Sequence, residues 1–184
     1  MTEQTMEPLA KHTTFRIGGP ADYYLIPESR HEVREAVLYA KEKKLPFYIL
    51  GKGSNVLFSD EGFRGVVIEV GKGMSGIALE RAGVVRVQAG TSMSAMAAKM
   101  AEWGLAGFEF AAGIPGTLGG ACVMNAGAYG GEMKDVLQSV TVLTDKGEVK
   151  VLAKEELELG YRTSVIAKKG YIVLSAVIRL ENGK

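Results

Sequence analysis

Apolar and polar residues near the start of the chain predict a strand, a helix and a second strand. Tyr23–Ile26 is a short apolar run typical of a strand. Ser29–Glu32 then carries the Ser-x-x-Glu pattern of a capping box, which opens a helix that we expect to reach Lys44. The apolar positions after this cap recur at helical spacing: Val33, Ala36, Val37 and Ala40. Phe47–Leu50 is apolar again and predicts a buried strand, which completes a β-α-β unit.

The pattern then changes to short β-type runs separated by glycines, which indicates a second lobe. These runs are Val66–Val70, Ile77–Glu80 and Val84–Gln88. A helix should follow from Ser92 to Trp103 and end at Gly104. One face of this helix carries Met93, Met96, Ala97 and Met100, and we assign this stripe to the core.

The last third of the chain predicts a hairpin, a short helix and a buried strand. Val140–Leu143 and Val149–Leu152 flank the turn Asp145–Glu148. Lys154 to Leu159 should form a short helix, and the apolar run Tyr171–Leu180 a buried strand. The pattern therefore predicts a chain of two lobes that contains both helices and strands.

Composition excludes several classes of protein. A net charge of +1 gives no electrostatic footprint for nucleic acid. The first residues lack the order of a signal peptide and no apolar stretch is long enough to span a membrane, so we expect a cytoplasmic protein. Cys122 is the single cysteine, which excludes an internal disulfide and favours a buried thiol. His12 and His31 are far apart in sequence, so no metal site is predicted.

Two glycine-rich loops are the strongest functional signal. Gly51–Asn55 follows the second predicted strand, and Ala112–Gly131 is crowded with glycines. Because glycine has no Cβ, such loops let main-chain N–H groups converge on a flat or anionic ligand. Two of them indicate a cofactor with a phosphate part and a ring part. The alternative is that these glycines only make tight turns.

The usual nucleotide and hydrolase motifs are absent. Gly51–Val56 lacks the third glycine of a dinucleotide fingerprint, and neither Gly-Lys-Gly segment completes a P-loop. No Gly-x-Ser-x-Gly elbow occurs. A neutral backbone cradle with the side chains of Ser54 and Asn55 suits a pyrophosphate. Tyr161-Arg162 is a candidate for stabilising an enolate or carboxylate, and a surface salt bridge is the alternative for this arginine.

Five motifs in order along the chain resemble the UDP-N-acetylenolpyruvoylglucosamine reductase family, flavoproteins of bacterial peptidoglycan synthesis. The motifs are His12–Ala21, Leu50–Leu57, Ala112–Gly120, Asn125–Gly130 and Tyr161–Ser164. The resemblance implies a two-lobed α+β FAD-binding fold of the vanillyl-alcohol-oxidase (PCMH) type and non-covalent FAD. The expected lobes are a small β-α-β lobe over residues 1–70 and a larger α+β lobe over 71–184.

By this resemblance one set of residues holds the pyrophosphate and another surrounds the flavin. The first set is Gly51, Lys52, Gly53, Ser54 and Asn55. The second is Gly113, Ile114, Pro115, Gly116, Gly119, Gly120, Val123 and Gly127, with Tyr129 and with Ile172 in the last strand. Some relatives have serine at the position of Gly120, so a side-chain hydrogen bond to the flavin is lost here.

The family reaction has two halves. NADPH gives a hydride to the flavin, which passes it to the enolpyruvyl carbon of the UDP-sugar while a protein group supplies a proton. Arg162 matches the active-site arginine, and Tyr161 and Tyr129 are expected substrate contacts. We expect neither a nucleic acid nor a membrane among the partners of this chain.

The family's proton-donor serine, glutamate and C-terminal substrate domain have no match in this chain. We therefore expect it to keep the FAD site and to lack competent turnover. Two other classes stay open: a non-catalytic FAD-binding module or subunit of a larger oxidoreductase, and a glycine-loop binder of another nucleotide.

Overall fold

The computed structural model of the chain describes residues 1–183. These residues form two compact units, and the boundary between the units lies between Met74 and Ser75 in the sequence. We call the part before this point the first unit and the part after it the second unit. The strands of the first unit are β1 (Thr2–Pro8), β2 (Pro20–Ile26), β3 (Phe47–Leu50) and β4 (Phe63–Glu69), and its helix is α1 (Arg30–Glu42).

The first unit is a four-stranded sheet in the order β1-β2-β4-β3. β4 pairs in parallel with both β2 and β3, while β1 is antiparallel to β2. The predicted β-α-β unit is present, but β4 lies between its two strands. The change of pattern at Val66–Val70 therefore does not mark a second lobe: residues 66–69 lie in β4, an inner strand of the first sheet, and Val66 and Val67 are fully buried.

The prediction of a buried strand at Phe47–Leu50 was also wrong in part. β3 forms at these residues, but it is an edge strand in which Leu50 alone is fully buried. Tyr48 remains partly exposed and packs edge-on against Phe58 and Phe63. The apolar run thus forms one edge of the sheet and is only partly buried.

Helix α1 begins at the predicted cap, but only half of the capping box forms. The Ser29 hydroxyl accepts from the Glu32 N–H at 3.2 Å. The Glu32 carboxylate accepts from the Glu28 N–H at 2.7 Å instead of from the cap residue. Val33, Ala36, Val37 and Ala40 are buried as predicted. The helix ends at Glu42, and Lys44 has a left-handed backbone.

The second unit is built on a five-stranded antiparallel sheet. Its strands are β5 (Ile77–Arg81), β6 (Val84–Gln88), β7 (Leu105–Ala106), β8 (Gly127–Ala128), β9 (Gly131–Glu132), β10 (Leu137–Leu143), β11 (Val149–Ala153), β12 (Ile172–Arg179) and β13 (Glu181–Asn182). Its helices are α2 (Met93–Glu102), α3 (Leu118–Met124), α4 (Met133–Val136) and α5 (Val165–Lys169). The main sheet has the order β11-β10-β12-β6-β5, and β7 pairs with β13 and β8 with β9.

Most element predictions in the second unit are confirmed. β12 is the buried central strand, and β10 and β11 form the predicted hairpin. Helix α2 begins after Ser92, and its Met93, Met96 and Met100 are buried, which confirms the methionine stripe as core. The predicted helix after Lys154 is a single 3₁₀ turn, Lys154–Leu157.

Cys122 lies within α3 and is fully buried, as predicted. Burial raises the pKa of its thiol to about 12, so the thiol stays protonated at neutral pH. Within residues 1–183, no helix has the length and apolar character needed to cross a membrane.

Candidate functional site

The first glycine loop leaves the sheet of the first unit at the end where ligands commonly bind. Gly51–Asn55 directly follows β3. Because β2, β4 and β3 are parallel, their carboxyl ends lie on one edge of the sheet. Open α/β sheets bind ligands beyond this edge.

Contacts with His12 and Thr14 hold this loop in place, and the main-chain N–H groups of the loop remain free to donate. Gly53 has φ +68°, and a Cβ on it would overlap the carbonyl oxygen of His12, so only glycine fits here. The Thr14 N–H donates to the Gly53 carbonyl at 2.9 Å. Among the described residues, no main-chain N–H of Gly51–Asn55 has a protein acceptor. A fixed run of unpaired donors can hold an anion.

The second glycine loop is pinned to the end of β6 and the start of α2. The Met93 N–H donates to the Gly116 carbonyl at 3.0 Å, and the Leu118 N–H to the Thr91 carbonyl at 2.9 Å. The Gly119 N–H donates to the Ala89 carbonyl at 2.9 Å. The backbone of Gly119 lies close to that of Ala89, since a Cβ added to Gly119 would be 3.3 Å from the Ala89 carbonyl oxygen.

Two glycines of this loop are not required by the fold itself. A Cβ on Gly113 would meet nothing within 4 Å, and one on Gly120 would meet only the Thr117 hydroxyl at 3.8 Å. Neither has a positive φ. Within residues 1–183, the N–H groups of Gly113, Gly116 and Thr117 have no protein acceptor. Open space beside bare backbone fits a flat ring that lies against it and accepts hydrogen bonds.

The other predicted flavin contacts differ in their surroundings. Val123 is partly buried near the end of α3, and Ile114 and Pro115 lie in the loop before it. Gly127 is explained by its hairpin, because a Cβ there would lie 2.6 Å from the Gly131 carbonyl. Ile172 is 5% exposed at the start of β12. The structure therefore encloses the Ile172 side chain in protein and leaves little of it for a ligand.

Arg162 lies on a turn held to the glycine-rich part of the second unit. Its backbone is left-handed, with φ +52°. A terminal guanidinium nitrogen donates to the Gly127 carbonyl at 3.2 Å, and the group lies 5.7 Å from the ring centre of Tyr161. No carboxylate of the described residues pairs with it, so the salt-bridge alternative is not supported. Its positive charge is left available to a ligand.

Tyr129 and Tyr161 are highly exposed for large hydrophobic side chains, at 95% and 89%. Tyr129 also has a left-handed backbone, and with Glu109 and Phe110 it borders an open recess. An exposed aromatic ring beside a guanidinium without a carboxylate partner, as at Tyr161 and Arg162, can receive a polar, partly ring-shaped ligand.

Asn125 holds this arrangement together and was not among the predicted site residues. It is 1% exposed and ends α3 with φ +47°. Its amide nitrogen donates to the Glu132 carboxylate at 3.0 Å and to the Gly160 carbonyl at 2.9 Å. Its amide oxygen accepts from the Lys134 N–H at 2.8 Å. One side chain thus joins the end of α3 to the turn that carries Arg162.

Ser164 has a structural role next to this turn. It is fully buried, and its hydroxyl donates to the Val123 carbonyl at 2.6 Å. The same oxygen accepts from the Ala167 N–H at the start of α5. This serine is therefore not available as a proton donor. Among residues 1–183, no three His, Cys, Asp or Glu side chains gather as metal ligands.

The sheet order, the parallel edge of the first unit and the pinned glycine loops define a flavoprotein fold. The chain belongs to the FAD binding domain family, which it matches over residues 21–153. The predicted α+β fold of the vanillyl-alcohol-oxidase type is confirmed, and so is FAD as the cofactor of the family.

More particularly, the chain is similar to UDP-N-acetylenolpyruvoylglucosamine reductases, which confirms the resemblance found in its motifs. It is 49% identical over 177 residues to the reductase of Alkaliphilus oremlandii (strain OhILAs), an alignment that covers 96% of this chain and 58% of that protein. It is thus little more than half as long as this curated relative.

Solved structures agree. The crystal structure of UDP-N-acetylenolpyruvylglucosamine reductase (MurB) from Thermus caldophilus matches with a TM-score of 0.85 and 36% identity, over 100% of this chain and 64% of that one. An alkyldihydroxyacetonephosphate synthase shares the fold, with a TM-score of 0.64 at 21% identity, over 91% of this chain and 33% of that one.

Proposed function

We propose that this chain is the FAD-holding part of an NADPH-dependent reductase of peptidoglycan synthesis. The reaction would convert UDP-N-acetylglucosamine enolpyruvate to UDP-N-acetylmuramate. The observation that carries the proposal is the open space beside Gly113 and Gly120, two glycines that the fold does not need. The similarity to named reductases supports the choice of substrate.

The residues of the first glycine loop would hold the pyrophosphate. The unpaired N–H groups of Gly51–Asn55 would donate to its oxygens. Lys52 is exposed and would add a positive charge, and the side chains of Ser54 and Asn55 would add further hydrogen bonds. The brace under Gly53 keeps these donors oriented before the ligand binds.

The second glycine loop would lie against the flavin ring. Gly113 and Gly120 let the ring approach the backbone, and Gly116 offers an unpaired N–H. Gly119 keeps the first turn of α3 against β6. When bound, FAD supplies hydride transfer, from NADPH and then to the enolpyruvyl double bond.

Arg162 would bind the substrate carboxylate and stabilise negative charge that develops beside it. A guanidinium keeps its charge at any physiological pH and matches the geometry of a carboxylate. The exposed rings of Tyr161 and Tyr129 would border the substrate. The proton for the neighbouring carbon must come from a group other than Ser164. This serine is buried, and its hydroxyl already makes two hydrogen bonds within the protein.

A first experiment tests the ring contact with glycine variants. Gly120→Ala should raise the stability of the FAD-free chain by roughly 0.5–1 kcal/mol, because alanine is the better helix residue. The same change should weaken FAD binding tenfold or more, because the added methyl occupies the space of the ring. Gly113→Ala should weaken binding similarly, as measured by quenching of flavin fluorescence in titrations.

Gly76→Ala is the matched control, since Gly76 has an ordinary φ and its added Cβ would meet only the Gln88 side chain at 3.4 Å. It should leave FAD binding unchanged. Equal FAD affinity in the Gly113 and Gly120 variants and the control would refute the proposed contact.

A second experiment tests Arg162. Binding of the enolpyruvyl UDP-sugar is followed through its change of the flavin absorption spectrum. Arg162→Ala should weaken this binding about 10- to 100-fold, the range of a hydrogen bond to a charged group. The control Arg81→Ala removes an exposed arginine at the end of β5. Unchanged affinity in Arg162→Ala would exclude the assigned role.

A further inference from the structure

His12 lies in a cluster of side chains next to the first glycine loop. It ends a 3₁₀ turn, Leu9–His12, that follows β1. The other histidine, His31, has a side chain that is 74% exposed on α1, whereas that of His12 is 23% exposed. His12 is therefore enclosed by other residues.

Three strands of the first unit contact the imidazole. Its ring stacks on Tyr24 of β2, with ring centres 4.3 Å apart and 25° between the planes. Nε2 lies 2.8 Å from a carboxylate oxygen of Glu7 in β1. Nδ1 lies 3.8 Å from Glu69 in β4. The imidazole is thus fixed from both its face and its edge.

Tyr24 and Glu69 are themselves fixed to each other. The buried Tyr24 hydroxyl donates to the Glu69 carboxylate. Burial, and next the hydrogen bond to Glu69, raise the pKa of Tyr24, so the hydroxyl keeps the proton that it donates. Buried polar groups joined in this way define one arrangement more strictly than apolar packing does.

The main chain of His12 supports the first glycine loop. Its carbonyl oxygen lies where a Cβ of residue 53 would be, so Gly53 rests directly on it. Two residues later, the Thr14 N–H donates to the Gly53 carbonyl. A displacement of His12 would therefore displace Gly53 and the unpaired N–H groups on either side.

We propose that His12 is a positioning residue for the cofactor's phosphates: its imidazole, held by Glu7, Glu69 and Tyr24, fixes the backbone that carries the Gly51–Asn55 loop. This inference rests on the proposed role of that loop in binding pyrophosphate. His12 does not touch the ligand. It acts by keeping the N–H donors in one orientation, which lowers the entropy lost when the anion binds.

The test compares FAD with riboflavin, which has the same ring and no phosphate. His12→Ala and His12→Phe should raise the dissociation constant of FAD tenfold or more, and that of riboflavin less than twofold. His12→Phe keeps a ring against Tyr24 and removes the nitrogens. His12→Gln keeps a donor for Glu7 and should recover part of the FAD affinity. His31→Ala is the control and should match the unchanged chain.

A second readout needs no ligand. Hydrogen exchange of the Thr14 amide should be at least tenfold faster in the FAD-free His12→Phe variant, at unchanged exchange in α1. If His12→Ala fails to fold, the Phe and Gln variants carry the comparison.

Each outcome decides the inference separately from the proposed function. A chain that binds FAD, with His12 variants that bind it equally well or lose FAD and riboflavin alike, overturns the positioning role. If riboflavin binds too weakly to measure, FAD affinity and Thr14 exchange decide together. A chain that binds no FAD before any substitution refutes the proposed function itself.

Discussion

Three non-glycine residues around the second glycine loop have a left-handed backbone. They are Asn125, Tyr129 and Arg162, with φ of +47°, +51° and +52°. Asparagine tolerates this conformation, but for tyrosine and arginine it costs about 1–2 kcal/mol. Such strain tends to lie at functional sites, where surrounding contacts enforce it. Here those contacts include the bond from Arg162 to Gly127.

The backbone of residue 162 gives a prediction about stability. Arg162→Gly and Arg162→Ala both remove the guanidinium, but only glycine adopts φ +52° without strain. The glycine variant should therefore be the more stable by about 1 kcal/mol in urea unfolding. An alanine variant of equal or greater stability would show that the turn relaxes to an ordinary φ.

Tyr24 gives a prediction about pH. Its pKa is raised in the folded chain, so the folded state keeps a proton that the unfolded state releases above the ordinary pKa of 10.0. The associated stability is fully present below pH 10 and falls as the pH rises further. Tyr24→Phe should be less stable at pH 7, having lost the bond to Glu69, and should lose less stability between pH 9 and 11.

The control for this measurement is Tyr39→Phe. Burial raises the pKa of Tyr39 to about 12. Tyr39 therefore makes its own contribution to the loss of stability at alkaline pH. The free energy of unfolding at each pH is measured with urea. The interpretation fails if Tyr24→Phe declines as steeply as the unchanged chain.

At the scale of elements, periodicity predicts what is local. The spacing of Val33, Ala36, Val37 and Ala40 gives α1, and the apolar run from Tyr171 gives β12. The same spacing does not predict that β4 inserts between β2 and β3, because sheet order depends on pairing between distant segments. β1 was missed because most of this polar edge strand is exposed and carries no apolar stripe.

The glycine brace of the first unit gives a prediction at this scale. Gly53 and Gly170 have similar φ, +68° and +65°, but an added Cβ meets His12 at the first and nothing within 4 Å at the second. Gly170→Ala should cost about 1 kcal/mol, the conformational cost alone. Gly53→Ala should cost clearly more and should also weaken FAD binding.

Equilibrium unfolding and FAD titration of both variants check this prediction. Equal losses of stability would mean that the Gly51–Asn55 loop moves away from His12 without effect. Unchanged FAD affinity in Gly53→Ala would show that the Gly51–Asn55 loop does not bind the cofactor.

For the whole molecule, fold class and family could be predicted because five motifs occur in order along one chain. The site could be predicted only in part. Gly113 and Gly120 stand out from the sequence as glycines, but the open space beside them is known only from the structure. The roles of Asn125 and His12 depend on contacts with Gly160 and Gly53, far away in sequence, which no local pattern encodes.

The most direct test is the visible absorption spectrum of the purified chain, with the amount of flavin released on denaturation. The account predicts about one FAD per chain, released without covalent attachment, and bleaching of the flavin bands by NADPH in the absence of oxygen. A colourless chain that leaves the fluorescence of added FAD unchanged would contradict it.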